Sequence, residues 1–90
     1  MNLPVIYSDL SAKEKGKVRD EYIKLQKGKC YFCNLDLKEE PIKELKITKE
    51  LFPPNFFKYQ IHLHHDHESG LTLGVVHNYC NAVLWEYLGE

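Results

Sequence analysis

The chain carries no surplus of either charge: 12 Lys and Arg stand against 13 Asp and Glu, for a net charge of −1. That balance withholds the positive excess by which a nucleic-acid-binding protein is usually recognised. No apolar run exceeds a few residues, so no segment is expected to span a membrane, and the first residues lack the form of a secretory leader. Three cysteines cannot close a complete set of disulfides, which excludes a secreted disulfide framework and fits a reducing, intracellular, cytoplasmic setting. Repeats and low-complexity stretches are missing too, so a solenoid or a long disordered linker is not expected. With 90 residues, one domain spanning 1–90 is expected, with a core modest enough for a structural metal to supplement it.

What is present favours a folded domain, since 43% of the residues are hydrophobic and 12% aromatic. Charge is also unevenly placed. Lys13, Lys15, Lys17, Arg19, Lys24, Lys27 and Lys29 face only Glu14, Asp20 and Glu21, which makes the N-terminal third locally basic. Such a run is either a solvated helix face or a surface turned to phosphates.

Residues 1–9 read as an extended lead-in. Ser11-Ala12-Lys13-Glu14 has the form of a capping box, and Val18, Tyr22 and Leu25 recur at helical spacing, so a helix is expected over 12–27 with Gly28 as its stop. Cys30-Tyr31-Phe32-Cys33 follows as a candidate zinc knuckle. Residues 35–59 read as an insertion, in which 42–48 could form a strand. Leu51, Phe52, Phe56 and Phe57 should fold back as core, with substrate stacking as the lesser reading. From Tyr59 to His65 apolar and polar residues alternate, predicting a half-buried strand with Ile61 and Leu63 inward and His62 and His64 on the other face. A loop over Asp66–Gly70, a returning strand over 71–76 and a final helix capped by Asn78 complete a ββα unit over 60–88. Cys80, Val83, Leu84, Tyr87 and Leu88 are expected on the buried side of that helix.

Cys30, Cys33, His77 and Cys80 are two x-x-spaced pairs of nitrogen and sulfur donors, which suits tetrahedral Zn²⁺. A closed set of four leaves no position for water, so the role read from it is structural. A thioredoxin-type redox pair is the competing reading, but it should open a helix in a βαβ context that the sequence does not offer.

Four of the five histidines lie within His62–His67. Histidine serves both as a base near neutral pH and as a metal ligand, so His64 and His65 could divide those tasks, with an amide oxygen from Asn81 completing an oxygen-tolerant divalent site. Strict strand alternation would point the two histidines apart, so the pleat must break near His65. His62 reads as an exposed strand residue, His67 as a phosphate contact or a loop support, and Asp66 as a loop anchor.

These residues resemble the HNH, or ββα-metal, nucleases, and among them the recombination endonuclease VII-like branch. That branch carries C-x-x-C, then V-D-H-D-H-x-T-G-x-x-x-G, then C-x-x-C-N. Here Cys30-x-x-Cys33 is followed by Leu63-His64-His65-Asp66-His67-Glu68-Ser69-Gly70, then Gly74, then His77-Asn78-Tyr79-Cys80-Asn81. The similarity covers Gly28 to Leu84 and leaves Leu35 to Tyr59 unmatched. It implies an α+β, zinc-stapled ββα-metal (HNH) domain with an N-terminal helix, acting on DNA as a phosphodiester hydrolase, of phage or mobile-element type. His65 would be the general base, His64 and Asn81 the ligands of Mg²⁺ or another divalent ion, and His67 a phosphate-contacting or supporting residue. Cys30, Cys33, His77 and Cys80 would hold structural zinc. The sequence departs from the branch where His64 replaces Asp and His77 replaces Cys, and Leu71-Thr72-Leu73 lacks the basic residues often found there. The alternative class is a zinc-stabilised module that binds nucleic acid or protein without catalysis.

Overall fold

The computed structural model describes residues 2–89, so Met1 of the lead-in and Glu90 at the end of the expected domain lie outside it. Its order is helix, hairpin, helix: α1 (Ala12–Leu25), β1 (Ile61–His65), β2 (Thr72–His77) and α2 (Asn78–Leu88), with single 3-10 turns at Tyr7–Asp9 and Lys49–Leu51. The class is therefore α+β, two helices and one two-stranded antiparallel sheet.

Helix α1 starts where the capping box predicts. The Glu14 amide donates to Ser11 Oγ at 3.1 Å and the Ser11 amide to Glu14 Oε1 at 3.0 Å, satisfying two donors that the helix itself leaves open. It ends at Leu25 rather than Lys27, because the chain reverses through Lys27 and Gly28, both at positive φ. Leu25 is consequently 64% exposed, against the expectation of a buried stripe reaching it, whereas Val18 and Tyr22 are buried. The side chain that faces the sheet at this point is Gln26. Its Oε1 accepts from the Val75 amide at 2.8 Å, and its Nε2 donates to the carbonyls of Val75 at 3.0 Å and Lys29 at 2.7 Å. That amide lies so close to β2 that a Cβ on Gly74 would stand 2.6 Å from Gln26 Oε1.

The lead-in reaches the start of β2 in extended form at Val5 and Ile6, but Tyr7–Asp9 coil into a 3-10 turn where the sequence predicts an extended run to residue 9. Ile6 bridges Leu71, the Thr72 amide donates to the Val5 carbonyl at 2.9 Å, and the Tyr7 amide to the Gly70 carbonyl at 2.8 Å. Leu71 thus belongs to this bridge, one residue before β2 begins. The core gathers Val18 and Tyr22 of α1, Leu63 of β1, Val75 and Val76 of β2, Cys80 and Leu84 of α2, Cys30 of the knuckle and Leu37 of the segment after it.

Four other expectations are corrected. Residues 42–48 form no strand, since their backbone is held by α2 side chains in place of a partner strand: Tyr79 Oη bonds Leu45, Tyr87 Oη donates to the Lys46 carbonyl, and the Thr48 amide donates to Glu86 Oε1 at 3.0 Å. Asn78 does not cap α2, because its Nδ2 donates to the Tyr59 carbonyl at 2.9 Å and the Phe57 carbonyl at 3.3 Å; His77 stands at the cap position. In α2 the inward residues are Cys80, Ala82, Val83 and Leu84, while Tyr87 and Leu88 are exposed on the last turn. Phe52, Phe56 and Phe57 are half-buried and pack with Trp85 as a satellite cluster, and Leu51 is exposed.

Candidate metal centre and histidine-lined cavity

The knuckle is a tight reversal. The Cys30 amide donates to the Leu35 carbonyl at 2.8 Å, the Asn34 amide to the Cys30 carbonyl at 3.0 Å, and Asn34 itself sits at φ 67°. A bond from the Tyr31 amide to the Val75 carbonyl, 2.9 Å, fastens this turn to β2. The strand then delivers His77 and the first turn of α2 delivers Cys80. As a result the ligand atoms of Cys30, Cys33, His77 and Cys80 all lie within 4.8 Å of one another. His77 Nδ1 is 3.4 Å from Cys33 Sγ and 3.6 Å from Cys80 Sγ. Zinc–sulfur and zinc–nitrogen bonds of about 2.3 and 2.0 Å give tetrahedral S–N edges of about 3.5 Å, so the quartet fits a zinc ion with little adjustment.

The surroundings orient the ligands. The Asp36 carbonyl, 2.9 Å from His77 Nε2, can only accept, which fixes the proton on Nε2 and leaves the Nδ1 lone pair aimed at the thiols. Cys30, His77 and Cys80 are buried and Cys33 is half-buried, so the set is closed to solvent, as a structural ion requires. Without an ion the thiols divide unequally. A hydrogen bond from the Cys80 thiol, helped by backbone N–H groups against the cost of burial, holds Cys30 down to about 4, while that same bond pushes Cys80 up and burial pushes Cys33 up. A dication supplies the charge that lets all three ionise.

The clustered histidines meet in a different place. The antiparallel register pairs His64 with Gly74 but His65 with Thr72, so the pairing shifts between these two histidines and Leu73 is skipped. Such a bulge bends the strand and breaks its alternation. The break falls where the sequence requires one, and His64 and His65 both line a cavity of about 310 Å³ together with His62, His67 and Asn81; with His67 they also border a neighbouring recess that takes in Asp66, Glu68 and Leu73. A larger cavity, about 700 Å³, between residues 40–49 and the start of α2 contains none of the four clustered histidines.

Within the smaller cavity each side chain has a definite setting. His64 is 3% exposed, more deeply placed than alternation alone would put it. His65 stacks on Tyr7, with ring centres 4.1 Å apart and planes 9° from parallel, and His67 lies 4.9 Å from His65. Burial, then the neighbouring charges of His67, His64 and Lys15, push His65 below the usual 6.5 against the opposing pull of Asp66, which favours the neutral imidazole near pH 7. His62 is half-buried rather than exposed. Burial chiefly, with Arg19 adding, lowers its pKa, and its Nδ1 lies 3.1 Å from Asn81 Nδ2. Asn81 therefore reaches the same cavity as His64, but its amide nitrogen is paired with His62. Asp66 is a loop anchor, accepting from the Glu68 amide at 3.1 Å and Ser69 Oγ at 3.0 Å, and these bonds lower its pKa.

Helix α2 thus sends successive residues to two sites, Cys80 to the metal centre and Asn81 to the cavity. The 100° step between helical neighbours makes this geometrically natural. The sequence did not single out Tyr7, Lys15 or Arg19 as part of the histidine site, yet all three line it. Lys15 and Arg19 are four residues apart in a helix, a signal for one shared face. Tyr7 carries no such signal, because the Ile6–Leu71 bridge places it. No family model matches the chain, and neither the curated proteins nor the solved structures provide a match.

Proposed function

We propose that the protein is a metal-dependent endonuclease of the HNH, or ββα-metal, type that hydrolyses DNA phosphodiester bonds in the histidine-lined cavity. One observation carries this reading: the register shift lets adjacent His64 and His65 line one cavity with Asn81, while neighbouring Cys80 serves the separate zinc centre. In this mechanism neutral His65 takes a proton from water. The water oxygen forms a bond to phosphorus, the ester P–O bond breaks, and the departing oxygen acquires a proton from solvent. Stacking on Tyr7 holds the His65 ring in plane for that transfer. His64 and the Asn81 amide oxygen are the candidate ligands of the divalent ion, and His67 supports the base or contacts the phosphate. When bound, that ion would stabilise charge developing on the phosphate and the leaving oxygen. An imidazole and an amide suit Mn²⁺, Co²⁺ or Ni²⁺ better than Mg²⁺, which prefers oxygen donors.

The test is plasmid nicking with Mn²⁺, Mg²⁺ or no added ion, comparing the parent with His65→Ala. Cleavage should require the added ion, be faster with Mn²⁺, and fall by about 10²–10⁴-fold in the variant. Unchanged cleavage by His65→Ala would sink the mechanism. An absence of cleavage with every ion would leave the zinc-stabilised binding module.

A further inference from the structure

Although acids outnumber bases in the chain, no Asp or Glu among the described residues lines the cavity of about 310 Å³, whereas Lys15, Arg19 and four imidazoles do; Asp66 and Glu68 line a neighbouring recess that shares His64, His65 and His67 but neither Lys15 nor Arg19. The cavity is built for an anion. Arg19 adds a sharper sign: its Nε is buried and has no hydrogen-bond partner. A buried donor left unmade weighs against folding, and where one persists it calls for a ligand or a functional reason. Neither Arg19 nor Lys15 takes part in a salt bridge among the described residues. Lys15 Nζ is held 4.4 Å above the Tyr7 ring, the ring that stacks on His65, so its charge sits beside the proposed base. The Leu71-Thr72-Leu73 run offers no cation on the hairpin side.

We propose that Arg19, with Lys15 one turn earlier on α1, is the phosphate anchor of this cavity, binding a nucleic-acid backbone in the absence of any added divalent ion. The planar guanidinium offers parallel N–H donors that match two phosphate oxygens, and lysine adds a point charge. The proposal rests on the nuclease reading for its choice of DNA, but it concerns binding and is tested without catalysis.

The experiment uses the full, zinc-loaded chain and a fluorescein-labelled single-stranded DNA oligonucleotide, with anisotropy read at several NaCl concentrations and no added Mn²⁺ or Mg²⁺. Arg19→Met should weaken binding about tenfold or more and reduce the salt slope by about 0.7. Its melting temperature should match or exceed the parent's, because the unpaired buried donor is gone. Arg19→Lys should keep the salt slope but bind more weakly than the parent. Lys24→Gln removes a charge from the same helix outside the cavity and should change affinity by about twofold or less. The proposal is overturned if Arg19→Met binds like the parent or like Lys24→Gln, if Arg19→Lys binds at parent strength, or if Arg19→Met melts well below the parent, which would make Arg19 a structural residue. Arg19-dependent binding by a chain that never nicks DNA would remove the nuclease reading and keep the anchor. Nicking by a chain whose Arg19→Met variant binds normally would do the reverse.

Discussion

Replacing Gly74 by alanine should cost several hydrogen bonds through one misplaced methyl group. The added Cβ would lie 2.6 Å from Gln26 Oε1 and 3.2 Å from two atoms of the Tyr31 side chain, so the Gln26 amide, being the end of a flexible chain, has to leave. With it go the bonds to the Val75 amide, the Val75 carbonyl and the Lys29 carbonyl. The Val75 carbonyl keeps the Tyr31 amide as a donor, but the Val75 N–H belongs to a fully buried residue and is orphaned. An orphaned buried donor costs about 1–3 kcal/mol and each ordinary bond about 1 kcal/mol, which places Gly74→Ala at roughly 2–4 kcal/mol. For a domain of this size that is a fall of roughly 10–20 °C in melting temperature. Denaturant unfolding of the zinc-loaded protein measures it, and a double-mutant cycle with Gln26→Ala tests the cause. Both changes remove the same bonds, so the double variant should cost at least about 1 kcal/mol less than the sum of the singles. A Gly74→Ala loss below about 0.5 kcal/mol, the level of ordinary surface changes, would refute the reasoning, and so would strict additivity. Because Gly74 is the partner of His64, displacement there should also disturb the cavity.

The metal centre gives two further outcomes. The purified chain should carry about one zinc by elemental analysis, whereas Cys33→Ser should lose it together with the cooperative fold, and excess Mn²⁺ should not restore activity; a stable zinc-free fold would remove the ligand assignment. Acidification should release the ion, since the ligand forms are the thiolates and neutral His77; protons compete as pH falls, so retention read with a chromophoric chelator must decrease towards low pH and never towards neutrality. Tyr79→Phe combined with Tyr87→Phe should leave the global unfolding transition nearly unchanged while exposing residues 42–48 to a lysine-specific protease, because those two hydroxyls bond the backbone at Leu45 and Lys46. Unaltered cleavage rates at Lys43 and Lys46 would show that the segment is held some other way.

Features written in local spacing were legible in the sequence. Ser11 and Glu14 reach each other across one turn, so the start of α1 needed no tertiary information. The metal quartet was legible because each ligand pair sits on a short spacing that only a shared ion explains well. What escaped was decided by distant partners. Residues 42–48 have strand-like composition, but α2 side chains meet their backbone first. Asn78 has the right chemistry for a cap, yet the carbonyls of Phe57 and Tyr59 claim its amide. The need for a break near His65 could be stated from alternation, whereas its form, a skipped Leu73, depends on which residue of β2 pairs with which of β1. Tyr7 enters the cavity through a bridge to Leu71, a contact that no local pattern encodes.

The net charge of −1 argues against a polyanionic partner, but the sum does not describe how the charge is arranged. Many of the acids are committed to their own neighbourhoods. Glu14 accepts from the Ser11 amide, Asp36 from the Lys38 amide, Asp66 from the Glu68 amide and Ser69 hydroxyl, and Glu86 from the Thr48 amide, while Glu40 pairs with Lys43. These carboxylates cap helices and hold loops, and their charge is met by nearby N–H dipoles and an ammonium; none lines the cavity of about 310 Å³, although Asp66 borders the neighbouring recess beside His65 and His67. Lys15 and Arg19 have no such local carboxylate partner among the described residues and line a cavity in which no acid takes part. Potential at a site depends on arrangement at distances comparable with the screening length, about 8 Å at physiological salt, and not on the total over the chain. A neutral sum is therefore compatible with a locally cationic cavity, and under the proposed nuclease reading affinity for DNA would be modest and dependent on the few cations that line it.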